Sequence, residues 1–172
     1  MNTQPILTGD LIELRPLHQD DFEKLLTAAS DPLIWEMHPQ PDRYKREVFK
    51  KFFNEAIDSK GAMLISERQS SQVIGTSRFY NFSKIDNSIV IGYTFLSRAF
   101  WGGQYNYELK KLMINYALGF VKTVYFHVGL NNIRSQKALE KIGAINTGIE
   151  EIPVSYAPPK KSYIYKIERP LK

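Results

Sequence analysis

Between residues 89 and 142 the chain alternates strand-like and helix-like patterns twice, and that order narrows the folds open to it. Ile89-Val90-Ile91-Gly92-Tyr93-Thr94-Phe95-Leu96 is apolar on both faces, as a strand inside a sheet must be. Across residues 104–120, Tyr105, Leu109, Leu112, Met113, Tyr116, Ala117 and Phe120 recur at spacings of three and four, which predicts an amphipathic helix. A short apolar strand at 124–128 and a second helix at 133–142 follow, the latter closed by Gly143, the usual residue of a left-handed C-terminal cap. A strand, a crossover helix and a second strand predict neighbouring parallel strands.

The rest of the chain reads as antiparallel. Residues 11–17 suit a first strand ended near Pro16, and Asp20-Asp21 suit the cap of a helix with Phe22, Leu25, Leu26 and Ala29 on its apolar face. Residues 30–42 are turn-rich, with Pro32, Pro39 and Pro41, and carry Trp35 and His38. A helix fits 44–57, a hairpin fits 62–67 and 73–79, and two last strands fit 145–149 and 162–167. The fold class is therefore α/β in the α+β sense: a mixed, largely antiparallel sheet with a central parallel pair and flanking helices. At 172 residues the expectation is one domain, over about residues 8–168.

Composition removes several chemistries. With no cysteine there is no thiolate nucleophile, disulfide framework or cysteine-ligated zinc or iron–sulfur cluster, a usage that suits a cytoplasmic setting. No metal site is expected. No apolar run approaches the ~18 residues of a membrane span, and MNTQPILTGD lacks the basic-then-apolar pattern of a secretory signal. A formal charge of +5 favours anionic partners, but no basic run or groove-reading motif points to nucleic acid.

Two stretches carry chemistry. Trp101-Gly102-Gly103-Gln104-Tyr105-Asn106 leads from the buried strand, ending Phe95-Leu96, into the best helix. A helix start exposes backbone N–H donors, and glycines admit a phosphate closely; a tight turn alone also uses a Gly-Gly pair. The second stretch, residues 128–144, holds Asn132, a natural helix cap, and Ser135 in the following turn.

Together these stretches resemble the GNAT superfamily of acetyl-coenzyme A-dependent N-acetyltransferases, and within it the branch of ribosomal-protein N-terminal acetyltransferases. The likeness runs through Leu14-Arg15-Pro16-Leu17 with Asp20 or Asp21, Trp101-Gly102-Gly103-Gln104-Tyr105 with Glu108, and Asn132, Ser135, Glu140-Lys141 and Gly143. There are departures. On the superfamily's Q/R-x-x-G-x-G/A loop, Trp101 stands first, Gln104 replaces the first glycine and Asn106 takes the second Gly/Ala place. Leu139 stands where many members carry a tyrosine that protonates the leaving thiolate.

The resemblance implies a GNAT-type domain whose central parallel strands splay apart. It implies acetyl-coenzyme A as donor, held by Phe95, Leu96, Trp101, Gly102, Gly103, Gln104, Tyr105, Asn106, Asn132 and Ser135. It implies direct attack by a primary amine, of a protein N-terminus or a small molecule, with a backbone N–H near Phe95–Leu96 facing the oxyanion and Ser135 as the catalytic group at the thiolate. Trp35, His38, Arg78, Tyr80 and Tyr93 are candidates to line the acceptor pocket. His38, Glu36, His127, Glu150 and Glu151 are candidate bases, His127 reading more readily as a core histidine and Glu108 as a carboxylate favouring its helix dipole. A non-catalytic acyl-coenzyme A binder is the alternative, favoured by Gln104 and Leu139. Pairing of two copies stays open.

Overall fold

The structure is a computed structural model that describes residues 1–154 and 157–169. Its elements, in chain order, are β1 (Leu7–Thr8), β2 (Ile12–Pro16), α1 (Phe22–Ala28), α2 (Arg46–Asp58), β3 (Ala62–Glu67), β4 (Val73–Ser83), β5 (Ser88–Leu96), α3 (Gln104–Leu118), β6 (Thr123–Gly129), α4 (Ile133–Lys141), β7 (Ile145–Val154) and β8 (Ala157–Glu168). The strands form one sheet in the order β1-β2-β3-β4-β5-β6-β8-β7. Every neighbouring pair is antiparallel except β5 and β6, which run parallel with α3 as their crossover, the arrangement that the strand–helix–strand order predicts.

Two apolar cores form on the sheet's faces. β3 serves both, since its side chains alternate: Met63 and Ile65 join α3's Leu109 and Met113, while Ala62 and Leu64 join Leu25, Trp35, Phe49 and Phe52 beneath α1 and α2. β5 also serves both, by a different device. Ile89 and Ile91 belong to the α3 core, yet Phe95, an even number of residues on, belongs to the α1–α2 core. The phase changes at a bulge: Arg78 lies opposite Gly92 and Thr76 opposite Phe95, so β5 spends one more residue than β4 between these pairs. Tyr93 takes up the extra residue with a φ of 52°.

The LRPL…D segment has a structural role. The Arg15 guanidinium makes two bonds, 2.6 and 2.8 Å, to the carboxylate of Asp21, which is 4% exposed. Burial works to raise the Asp21 carboxyl, but the Arg15 bonds and the His18 N–H outweigh it and leave it below the usual carboxylate range. Asp21 therefore closes the turn ahead of α1, and its side chain makes no capping bond to that helix. Glu108 also differs from expectation. It is the fifth residue of α3, past the first turn, and its carboxylate accepts the N–H groups of Asp10, Leu11 and Ile12 at 2.7–2.9 Å. A Cβ at Gly9 would meet the Glu108 Cδ at 2.5 Å, so a glycine is required there for that approach.

β7 and β8 run well beyond residues 145–149 and 162–167. The extension pairs Ile152 with Lys160 and Val154 with Ala157, and β6 stops pairing at Gly129 opposite Ser162. Pro153, Pro158 and Pro159 fall outside these pairs, where a missing N–H removes no ladder bond. Helix α3 ends at Leu118, so Phe120 lies beyond it and is 55% exposed. No helix among the described residues is long and apolar enough to cross a membrane. No cluster of His, Asp and Glu among them fits a metal ion.

Candidate active site

The parallel pair is held together only at its start. Ser88, Ile89 and Val90 pair with Thr123, Val124 and Tyr125, after which β5 continues to Leu96 and β6 to Gly129 without further pairing between them. Beyond Val90 the β5 edge facing β6 is thus free for another extended group. The Ser97 N–H donates to the Ile74 carbonyl on the β4 side at 2.7 Å. N–H groups alternate along an antiparallel ladder, so the Leu96 N–H points the other way, into the gap, while that of Phe95 faces β4.

At the mouth of this gap lies the start of α3. The Trp101 indole Nε1 donates to the Leu96 carbonyl at 2.8 Å and ties the loop to the strand end. Gly102 adopts a φ of 71°, the left-handed region, and Gly103 is the N-cap residue without a capping side chain. Gln104 is exposed, Tyr105 and Asn106 are half-buried, and the Tyr105 ring packs edge-on against Phe100 at 4.9 Å. The uncapped first-turn N–H groups and positive dipole end suit a phosphate, and nothing lies within 4 Å of a Cβ built at Gly102.

The fold brings the second stretch to the same place. Arg134, in the first turn of α4, lies over the Trp101 ring at 3.7 Å from its centroid. Beside it, the Asn132 Oδ1 accepts the Ser135 N–H at 3.2 Å, so Asn132 caps α4 as its type predicts. Ser135 is half-buried, and its hydroxyl has no hydrogen-bond partner among the described residues. Leu139 is 3% exposed and is part of the α3 core.

The opposite face holds a polar and aromatic array. Tyr93 meets Tyr80 edge-on at 5.1 Å between ring centroids and lies under the Arg78 guanidinium at 4.1 Å. The Tyr80 hydroxyl lies 3.2 Å from His127 Nδ1, so the array bridges from β4 to β6 across the divergence. Burial pushes the Tyr80 hydroxyl up. It also lowers His127, against the opposing charge of Glu150. His38 sits 3.1 Å from Arg43, and burial with the Arg43 and Lys160 charges lowers it to about 3. Trp35 is 2% exposed, donates to the Ala29 carbonyl and packs on Phe95 at 5.0 Å, a wall of the array more than a contact surface. Glu36, Glu150 and Glu151 are exposed.

Arg43, Phe52 and Lys110 also belong to this neighbourhood, and sequence reading passed over them as site residues. Arg43 lies in the turn ahead of α2, with its Cζ 4.5 Å from the Phe52 ring centroid. Lys110 is 8% exposed, donates to Thr94 Oγ1 at 3.1 Å and lies over the Phe126 ring at 5.3 Å, which places its ammonium between the diverging strands. Burial lowers it to about 8. A signal for it was present: Lys110 precedes Met113, Ile114 and Ala117 by three, four and seven residues, on the buried stripe of α3.

Comparisons with known proteins agree with this arrangement. No curated protein sequence matches the chain. Solved structures match it closely in fold. A GCN5-related N-acetyltransferase from Brucella melitensis shares 18% identity at a TM-score of 0.81, over 96% of this chain and 79% of that one. A GNAT-family acetyltransferase from Bacillus anthracis shares 16% at 0.77, over 95% and 98%. RimL, a ribosomal-protein acetyltransferase solved with coenzyme A, shares 17% at 0.73, over 95% and 98%. The family model described as "Acetyltransferase (GNAT) domain" matches residues 12–145. With most of its length under that model and its strands parting above an uncapped helix start, the chain belongs to the GNAT acetyltransferase family, whose acetyl donor is acetyl-coenzyme A.

Proposed function

We propose that this protein, through one catalytic domain spanning residues 8–168, transfers the acetyl group of acetyl-coenzyme A to a primary amine by direct attack. The observation that carries the reading is the divergence of β5 from β6 at a point flanked by an uncapped α3 start on one side and a polar, aromatic array on the other. Residues 101–106 hold the pyrophosphate on first-turn N–H groups. The gap-facing edge of β5 at Leu96 holds the pantetheine arm, with Phe95 beside it turned to β4.

In the reaction the neutral amine forms a C–N bond to the thioester carbonyl and the C–S bond breaks. The Leu96 N–H, directed into the gap, is the donor to the developing oxyanion. The Ser135 hydroxyl, without a partner among the described residues, stabilises the departing thiolate by hydrogen bonding. The proton lost by the amine passes to His127, directly or through Tyr80; burial keeps this imidazole neutral and ready to accept it. His38, at about 3, is too weak a base for this task and serves as a wall of the acceptor pocket with Trp35, Arg78, Tyr80 and Tyr93.

The test is the purified protein with acetyl-coenzyme A and a panel of primary amines, followed by release of free thiol and by the mass of the acetylated amine. Thiol release that depends on the amine, with stoichiometric product, supports the proposal. Tight coenzyme A binding without transfer to any amine leaves an acyl-coenzyme A binder, the reading that Leu139 favours.

A further inference from the structure

Two buried arginines on the acceptor side lack an acid partner among the described residues. Arg78 is 5% exposed and Arg43 7%, and neither enters an ion pair among the described residues. A charge in such a position is costly unless it is paired and hydrogen-bonded. Arg43 Nη1 and Nη2 lie within bonding distance of His38 Nε2 and Gln40 Oε1, at 3.1 and 2.7 Å. The Nε of Arg43, and the Nε and Nη2 of Arg78, are buried without any acceptor among the described residues.

The geometry of these unmet donors is informative. Aromatic rings hold the guanidinium faces: Tyr93 and Phe52 lie 4.1 and 5.8 Å from the Arg78 Cζ, and Phe52 and Trp35 lie 4.5 and 5.2 Å from that of Arg43. Stacking occupies the faces and leaves the in-plane edges for hydrogen bonds. The Nε and Nη2 of Arg78 form one edge of the fork, with two parallel N–H groups spaced to meet both oxygens of a carboxylate or phosphate. Both nitrogens of that edge are buried without an acceptor among the described residues.

The surroundings match an anion. Both guanidiniums pack on the same Phe52 ring, and Lys160 reaches the same segment through the Pro39 carbonyl at 3.3 Å. Glu55 acts on both arginines only at longer range. Burial lowers Arg43 to about 10 and lowers Arg78 from its ordinary value, and a guanidinium keeps its charge at neutral pH. Arg78 lies opposite Gly92, directly before the Tyr93 bulge, where β5 has already parted from β6.

On the acetyl-transfer reading above, we propose that Arg78 and Arg43 form an oxyanion seat that selects the acceptor, so that the protein acetylates small amines carrying a carboxylate or phosphate close to the amine. A polyamine would bring further positive charge to this seat, and a peptide N-terminus with a neutral first side chain has no acid group to place in it.

Two measurements test this. The first needs no turnover: the arginine Nε–H signals of the ¹⁵N-labelled protein with coenzyme A are followed while acetate or inorganic phosphate is added, with Arg78→Lys assigning the Arg78 signal. A saturable shift of that signal is expected, and its absence with both anions overturns the seat. The second compares acceptor pairs, glycine with glycinamide and O-phosphoethanolamine with ethanolamine. The anionic member of at least one pair is expected to have a kcat/KM higher by about 10–100-fold, and the pair that responds identifies carboxylate or phosphate. Arg78→Lys should erase the preference without changing coenzyme A affinity. Equal transfer to both members of both pairs overturns the seat and leaves the transferase standing. Anion-induced shifts with no transfer to any amine keep the seat and overturn the transferase.

Discussion

Arg134 lays its guanidinium over the indole of Trp101 with 3.7 Å between Cζ and ring centroid, and this stack is where α4 meets the loop that opens α3. The same indole bonds the Leu96 carbonyl, so strand end, loop and helix are joined through one side chain. Arg134→Ala removes the stack and a positive charge beside the pyrophosphate loop. A contact of this kind contributes about 0.5–2 kcal/mol, so coenzyme A affinity should fall by roughly 2–30-fold. Calorimetric titration of wild type and variant with coenzyme A checks this, and equal affinities would show that the stack is structural only.

Ser135→Ala addresses the thiolate. If the hydroxyl meets the departing sulfur, kcat should fall by on the order of 10²–10³ while coenzyme A binding holds. Water entering the space would reduce that figure. A raised KM with unchanged kcat would instead assign Ser135 to ground-state binding. Steady-state kinetics with an accepted amine separates the two.

The carboxylate of Glu108 holds three backbone N–H groups of the turn between β1 and β2. Gly9→Ala should push it from that position, and Glu108→Gln should leave one donor facing a donor. Each is expected to lose about 1–3 kcal/mol, read as a lower denaturation midpoint with unchanged slope. Undiminished stability in both variants would show that the turn holds itself.

Lys110 costs stability where it stands. Burial lowers it from its ordinary 10.5 to about 8, so below pH 8 a charged ammonium is held at a loss. Between about pH 8 and 10.5 the unfolded chain binds a proton that the native chain has released, and stability due to this group therefore rises with pH across that window. Lys110→Met should stabilise the unliganded protein by about 3 kcal/mol at pH 7. The gain should shrink toward pH 10.5. Paired denaturation curves at pH 7 and pH 10 check both the sign and the window.

Much of the fold was legible because periodicity is a local property. The alternation at 89–96, the three-and-four spacing of α3 and the Gly143 cap each needed only neighbouring residues, and Gly143 does take a positive φ of 81°. The long β7–β8 hairpin was not legible, because Pro153, Pro158 and Pro159 read as loop unless the outer limit of β6 is known. The Tyr93 bulge was hidden for a similar reason: an apolar run on both faces looks the same in either phase. In the site, the Trp101 and Ser135 stretches announced themselves by order and spacing. Arg78 was named, but Arg43 falls between the turn-rich segment and the 44–57 helix, and Lys110 is a lysine among the apolar residues of α3. Their importance comes from burial without an acid partner among the described residues, which only the packed structure reveals.

The bulge at Tyr93 also limits how β5 can vary. One residue out of step allows the first half of the strand to feed the α3 core while the second half feeds the aromatic layer under α2. Deleting a single residue there would restore simple alternation and turn every side chain downstream. Phe95 would swing toward α3, and Leu96 would present the opposite edge of its peptide to the gap. A single-residue insertion or deletion in this stretch would therefore disturb both cores at once, which a point substitution that keeps the kink would not. The strand works as a fixed-length gauge between the donor side and the acceptor side of the protein.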